Sequence, residues 1–261
     1  TANGVAGKIA PAHAEAIQAA CTRILKNPND FPELSVLPAL QGGAGTSINM
    51  NVNELIVAVA KKLTGTQVHS LDDVNASQST NDALPSALRI ACIRKLNLLL
   101  ATLPKLSKAL HVQATKNKKI KKLARTHLQD AVETSWYEIF TSYEEIVKRN
   151  QKKLQDMRHF LYELNLAGTA IGNGLNASSE YKQVVFRELR KLTKLPVVPA
   201  KNAMSSTSSS ADFLTLNQHL VTLYMDLSKI ATDFRILASG PNGGIAELRL
   251  KELQKGSTIM P

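Results

Sequence analysis

Apolar residues recur at alternating steps of three and four along three long segments of the chain. Residues 86–115 and 134–164 carry two of these stripes. The third is the most regular and consists of Leu216, Leu220, Leu223, Leu227, Ile230, Phe234 and Leu237. A period of about 3.5 residues is typical of long helices that pack side by side. The pattern therefore predicts three long helices in a bundle.

The first part of the chain has shorter segments that Gly, Pro and Asn interrupt. Apolar spacing predicts helices over residues 11–26 and 49–63, and Gly65 suits the end of the second. Strand signals are weak throughout. We therefore predict an all-α fold with a mostly helical N-terminal domain at residues 1–83 and a central long-helix bundle at residues 84–261.

Composition narrows the class of protein. The 261 residues are 44% apolar and 20% charged, with a formal net charge of +11 and two cysteines. No apolar run approaches the roughly 20 residues of a membrane span, and two cysteines are too few for a disulfide scaffold or a cysteine metal site. We expect a soluble, cytoplasmic protein that binds neither membrane nor nucleic acid.

The one dense basic run, Lys116–Lys122, could instead indicate nucleic-acid binding. No aromatic residues interleave with its lysines, as a surface that stacks single-stranded bases would require. We therefore interpret the run as a solvated helix end or loop. A basic helical nucleic-acid binder stays open as a minor alternative, which steep salt dependence of DNA binding would support.

Five connecting segments are rich in Ser, Thr, Asn and Gly: GGAGTSINMN, NASQSTND, RTHLQD, GTAIGNG and GSTIMP. Hydroxyl, amide and backbone N–H groups are the donors that hold a carboxylate. Any single segment could be an ordinary helix cap, and Ser79 or Thr80 would suit that position. Five such segments separated by long helices favour a binding site.

These segments occur in the order seen in the fumarase/aspartase superfamily, which the chain resembles nearly from end to end. GSTIMP resembles the opening of the superfamily signature. The resemblance implies β-elimination that releases fumarate, without a metal or organic cofactor. It also implies a homotetramer whose active sites are shared between subunits, and a small dicarboxylate substrate.

Motif positions imply the roles of individual residues. Ser257 aligns with the catalytic base, a serine that acts as an alkoxide, and Thr258 keeps a hydroxyl for a carboxylate. Ser79 and Thr80 resemble the pair that binds the carboxylate beside the abstracted proton. Thr126 resembles the contact to the other carboxylate.

Three further residues, Thr46, Asn81 and His127, resemble the surroundings of the leaving group, with His127 also catalytic. We expect the 46, 79–81, 126–127 and 257–258 regions to meet from different chains. In a single chain they should lie far apart.

Finer motif differences favour release of ammonia from L-aspartate, since QGGAGTS, STND and NLAGTAIG resemble the aspartase branch more than the fumarase branch. Interconversion of L-malate and fumarate is the enzyme alternative. The third interpretation is a noncatalytic relative of the superfamily. The charge of +11 would steer a dicarboxylate toward the protein in either reaction.

The sequence also departs from the superfamily pattern. It stops at Pro261 within the signature, and we expect a clipped start, an incomplete central bundle and an inactive chain when these 261 residues stand alone. Glu133 and Tyr137 replace the usual Pro and Gly, HSLD at 69–72 replaces the usual H-P-N-D, and Asn242 replaces an Arg. We therefore expect a divergent member.

Overall fold

A computed structural model describes residues 1–251, 253 and 256, and helices dominate this part of the chain. The helices are α1 (Ala2–Val5), α2 (Pro11–Lys26), α3 (Thr46–Thr64), α4 (Thr80–Lys116), α5 (Trp136–Phe160), α6 (Ser179–Thr193), α7 (Ala203–Ser208) and α8 (Ala211–Leu237). The strands are β1 (Lys121–Thr126), β2 (Gln129–Ser135), β3 (Glu163–Leu164) and β4 (Val198–Pro199). The all-α class and the three long helices α4, α5 and α8 are confirmed.

The structure divides into two compact units. The first contains residues 1–94 and 159–212, and the second contains residues 95–158 and 213–251. The long helices each contribute residues to both units. The units do not coincide with the predicted domains at 1–83 and 84–261, which stay a prediction.

Helices α2 and α3 form one core of the first unit. Most of the buried residues are alanine, valine or isoleucine, and the cluster is Ala16, Ala20, Ile24, Leu55, Ile56, Val59 and Ala60 of these helices with Val68 and Val74 from the segment that follows. Gly65 ends α3 in the left-handed region at φ 72°, and its N–H donates to the Lys61 carbonyl. This C-terminal cap was predicted from the glycine, which adopts that conformation without steric cost.

The core of the second unit comes from the long helices. Trp136, Phe140, Tyr143, Val147, Leu154 and Met157 of α5 are buried, as are Leu216, Leu223 and Ile230 of α8. Phe234 contacts Tyr143 edge-on, with ring centroids 5.6 Å apart. The burial of α8 thus recurs every seven residues, while Leu220 of the predicted stripe is 37% exposed.

An antiparallel hairpin, β1–β2, follows the end of α4. The sequence predicted no strand there, because no Asn-Gly or Asp-Gly turn stands between the two segments. The turn residues are His127 and Leu128, with φ of 49° and 64°. Strands β3 and β4 form a second, parallel pair of two residues each. Within residues 1–251, no helix has the length and apolar character needed to cross a membrane.

Candidate active site

The start of α4 carries three of the predicted substrate-binding residues. The Ser79 hydroxyl accepts a hydrogen bond from the Asn81 backbone N–H at 3.2 Å, and the Asp82 carboxylate accepts one from the Ser79 backbone N–H at 2.9 Å. The Asp82 bond is one half of a capping box, and the Ser79 hydroxyl caps the N–H of Asn81 instead of that of Asp82. A hydroxyl that accepts one hydrogen bond can still donate its own hydrogen. The capping role of Ser79 is therefore compatible with binding a carboxylate.

Asp82 lies fully buried below these residues. Its second carboxylate oxygen accepts a hydrogen bond from the Thr169 backbone N–H at 2.8 Å. Burial raises the pKa of the Asp82 carboxyl, and the N–H groups of Ser79 and Thr169 oppose that rise because they favour the charged form. The sequence analysis did not single out Asp82, although its position, three residues after the capping serine, is the signal of a capping box.

Asn81 and Asn165 connect the start of α4 to the 165–170 segment through two hydrogen bonds. The Asn81 side-chain amide donates to the Ala170 carbonyl at 2.8 Å, and the Asn165 amide donates to the Asn81 carbonyl at 2.9 Å. Asn165 is fully buried and also bonds Thr207 and Ser86. The 165–170 segment, which includes the first three residues of the GTAIG motif at 168–172, is therefore attached to the first turn of α4. Asn165 was not predicted, because no local pattern distinguishes it from a loop asparagine.

Thr46 is the first residue of α3, and its side chain is exposed. The preceding residue, Gly45, has a φ of 94° and lies against the start of α4. A β-carbon at Gly45 would lie 2.0 Å from Leu84 Cδ2 and 3.4 Å from Thr80 Cγ2. The Thr46 loop and the start of α4 are therefore neighbours within one chain. The expectation that these two regions lie far apart in a single chain is wrong, because Gly45 allows the backbone to approach α4 closely.

The N-termini of α3 and α4 thus lie beside each other. Each presents backbone N–H groups and the positive end of a helix dipole, which together favour negative charge. Hydroxyls of Thr46, Ser79 and Thr80 stand at these two ends. The arrangement provides donors suited to a carboxylate.

Thr126 and His127 lie elsewhere, in the second unit. Thr126 ends β1 and pairs with Gln129 of β2, which places His127 in the two-residue turn. Both side chains are exposed. The left-handed backbone of His127 is costly for a residue with a β-carbon. This exposed turn leaves the imidazole open to a ligand.

Ser257 and Thr258 lie outside the described residues. The chain that leads toward them folds back onto the end of α8, where the Glu247 and Leu248 N–H groups donate to the Leu237 carbonyl. Glu247 also forms ion pairs with Arg125 and Lys122 of β1. This segment is therefore attached to the strand that ends at Thr126.

Among the described residues, no group of three or more His, Cys, Asp and Glu side chains could hold a metal ion. Cys21 and Cys92 are both free thiols. Burial raises the pKa of each thiol, which keeps both in the neutral form.

Comparison with known proteins settles the family. A family described as lyase matches residues 1–261. The chain belongs to this lyase family. It is 39% identical to an aspartate ammonia-lyase of Helicobacter pylori over 232 residues, which are 87% of this chain and 50% of that protein. It is 38% identical to an aspartate ammonia-lyase of Escherichia coli over 254 residues, covering 95% of this chain and 53% of that protein.

Solved structures of lyase family members agree with this membership. A Brucella melitensis protein described as fumarate lyase:delta crystallin, bound to cobalt, matches the whole chain with a TM-score of 0.92 and 35% identity, over 57% of its own length. The class II fumarase of Schistosoma mansoni matches with a TM-score of 0.85 and 30% identity, over 58% of its length. The chain therefore spans about half the length of these relatives. The expected membership in the fumarase/aspartase superfamily is confirmed.

Proposed function

We propose that this protein releases ammonia from L-aspartate to give fumarate. The adjacent N-termini of α3 and α4 carry the proposal, because Ser79 and Thr80 offer hydroxyl donors to one carboxylate and Thr46 stands beside them for the leaving group. The identity of 38–39% to aspartate ammonia-lyases supports aspartate as the substrate.

The proposed reaction begins at the carbon beside one carboxylate of L-aspartate. The Ser257 alkoxide takes a proton from this carbon, and Ser79 and Thr80 stabilise the negative charge that develops on the neighbouring carboxylate. The electron pair then forms the double bond of fumarate as the carbon–nitrogen bond breaks. Thr126 and Thr258 bind the carboxylates.

Ammonia leaves into surroundings formed by Thr46, Asn81 and His127. The Asn81 amide nitrogen already donates to the Ala170 carbonyl, which orients the side chain and leaves its oxygen available as an acceptor. An acceptor oxygen suits the ammonium group of the substrate. The His127 imidazole can donate or accept a hydrogen bond, which suits contact with the departing ammonia.

A second candidate function is the hydration of fumarate to L-malate. The match to the Schistosoma mansoni class II fumarase favours it, since the same carboxylate donors serve both reactions. A noncatalytic member of the family is the third candidate.

We further propose a homotetramer that shares its active sites between subunits and resides in the cytoplasm. Leu214, Val221, Tyr224 and Met225 of α8 are more than half exposed, and neighbouring subunits would cover them. The two free cysteines fit a reducing compartment. Light scattering of the full-length protein tests the assembly, and a monomer or dimer would contradict it.

The activity is tested by following the ultraviolet absorbance of fumarate with L-aspartate and, separately, with L-malate. The protein should come from the complete gene. Fumarate from aspartate alone supports the ammonia-lyase, and fumarate from malate alone makes the protein a fumarase. If a folded tetramer makes fumarate from neither substrate, the result supports the noncatalytic alternative.

A further inference from the structure

We propose that Asp82 is a positioning residue that fixes the Ser79–Asn81 turn against the 167–170 segment, so that the carboxylate-binding donors are oriented before substrate arrives. This inference rests on the proposed function. Asp82 does not contact substrate in this proposal, since it is fully buried. It acts through the backbone N–H groups of Ser79 and Thr169, which its carboxylate binds.

The two oxygens of Asp82 bind two different parts of the chain. One accepts the Ser79 N–H at 2.9 Å, and the other accepts the Thr169 N–H at 2.8 Å, across 87 residues of sequence. A single carboxylate thus connects the first turn of α4 to the GTAIG motif. Moving either oxygen would move the Ser79 turn relative to Thr169.

Capping of α4 explains only one of these two bonds. A full capping box begins α5, where the Glu138 carboxylate accepts the Ser135 N–H at 2.9 Å and the Ser135 hydroxyl accepts the Glu138 N–H at 3.2 Å. Glu138 makes its described hydrogen bonds with Thr134 and Ser135 alone, and these bonds are exposed. Asp82 therefore does more than a helix cap requires.

The 167–170 segment needs an external support. Ala167 and Thr169 have φ of 67° and 58°, in the left-handed region that residues with a β-carbon rarely adopt. The Asp82 bond to the Thr169 N–H opposes relaxation of this turn. The next carbonyl, that of Ala170, accepts the Asn81 amide, so the strained turn orients a predicted substrate-binding side chain.

The test compares two variants of the full-length protein, Asp82→Asn and Glu138→Gln. Asn has the shape of Asp, but it replaces one acceptor oxygen with a donor that would face an N–H group. We expect Asp82→Asn to lower kcat/KM for L-aspartate about 100-fold and to raise the Kd of succinate about tenfold. Glu138→Gln should leave both within about twofold, because its capping box touches no site residue.

A rescue variant separates positioning from general stability. Thr169→Gly keeps the N–H donor and removes the cost of the left-handed backbone. We expect the double variant Asp82→Asn with Thr169→Gly to regain about tenfold in kcat/KM, since the turn then holds its conformation without Asp82. If Asp82→Asn alone does not fold, the same comparison is made in the Thr169→Gly background.

Three results would overturn the proposal: wild-type kcat/KM and succinate Kd in folded Asp82→Asn, an equal loss in Glu138→Gln, or no recovery in the double variant. The same measurements distinguish failure of the proposed ammonia-lyase function from failure of the proposed role of Asp82. A wild-type protein that binds succinate but makes no fumarate refutes the ammonia-lyase, and the succinate Kd values still decide the role of Asp82. A wild-type protein that does not bind succinate overturns both.

Discussion

The Arg125 guanidinium forms an ion pair with the Glu247 carboxylate, although 122 residues separate them in sequence. Lys122 shares that carboxylate, and its side chain is only 7% exposed. Burial raises the pKa of Glu247, but the two cations outweigh this effect and hold it below its ordinary value. The carboxylate is therefore charged at neutral pH and compensates two cations at once.

We predict that Glu247→Gln lowers the free energy of unfolding by about 2 kcal/mol, because it leaves the Lys122 ammonium without its counter-charge in a nearly buried position. The matched control is Glu133→Gln in the same hairpin, where the Lys121–Glu133 pair is largely exposed. That change should have little effect. Urea unfolding measures both, and equal effects would contradict the prediction.

Gly172 should tolerate no side chain. Its φ is 90°, and an added β-carbon would lie 2.4 Å from the Met204 backbone nitrogen. We predict that Gly172→Ala lowers stability by about 3 kcal/mol or more, since both strain and overlap contribute. Gly65→Ala has a similar φ of 72° with nothing within 4 Å, so it should lower stability by about 1 kcal/mol. Thermal unfolding compares them, and a smaller shift at Gly172 would refute the overlap.

Asn165 is the second buried side chain that attaches the GTAIG segment to α4. We predict that Asn165→Ala lowers stability by about 3 kcal/mol, because the buried Ser86 hydroxyl loses its acceptor and the Asn81 carbonyl loses its donor. Asn202→Ala removes only a cap at α7, where the Asn202 side chain accepts the Ser205 N–H. That control should lower stability by about 1 kcal/mol. A loss at Asn165 no larger than the loss at Asn202 would contradict the prediction.

The Glu144 carboxylate should make the stability of the folded protein depend on pH. The Lys148 ammonium, and to a lesser extent His111, hold the pKa of Glu144 below its ordinary value of 4.5. A lowered pKa in the folded state means that the stabilisation is complete above pH 4.5 and is lost as the pH falls through the folded pKa. Glu144→Gln should therefore be about 1 kcal/mol less stable than wild type at neutral pH, and this difference should disappear once the pH lies below the folded-state pKa of Glu144.

Unfolding curves between acidic and neutral pH measure this difference. Glu15→Gln on α2, where the side chain is exposed, serves as the control for the removal of one carboxylate. A constant offset for Glu144→Gln at all pH values would show that Glu144 acts through packing and not through charge.

Ser257→Ala tests the proposed base. We predict that kcat falls about a thousandfold or more while the oligomer and its melting temperature are unchanged, because only the proton acceptor is removed. Ser142→Ala on the exposed face of α5 should keep wild-type kcat. Unchanged turnover in the Ser257 variant would exclude it as the base.

Much of the fold could be predicted from the sequence. The helix over residues 11–26 and the end of α3 at Gly65 agree with the structure, as do the three long helices. Apolar periodicity and glycine conformation are local properties, so they can be predicted without knowledge of distant contacts. The hairpin at β1–β2 could not be predicted, because its His127–Leu128 turn lacks the residues that such turns prefer.

The sequence by itself determined the helical elements, the family and the order of the hydroxyl-rich motifs. Only the tertiary structure placed Gly45 against α4, Thr169 on Asp82, and Asn165 beneath Asn81. The reason is that helix formation depends on neighbours three or four positions away, whereas these contacts join segments far apart in sequence. They form only when packing has excluded water and each buried polar group must find its partner in the protein.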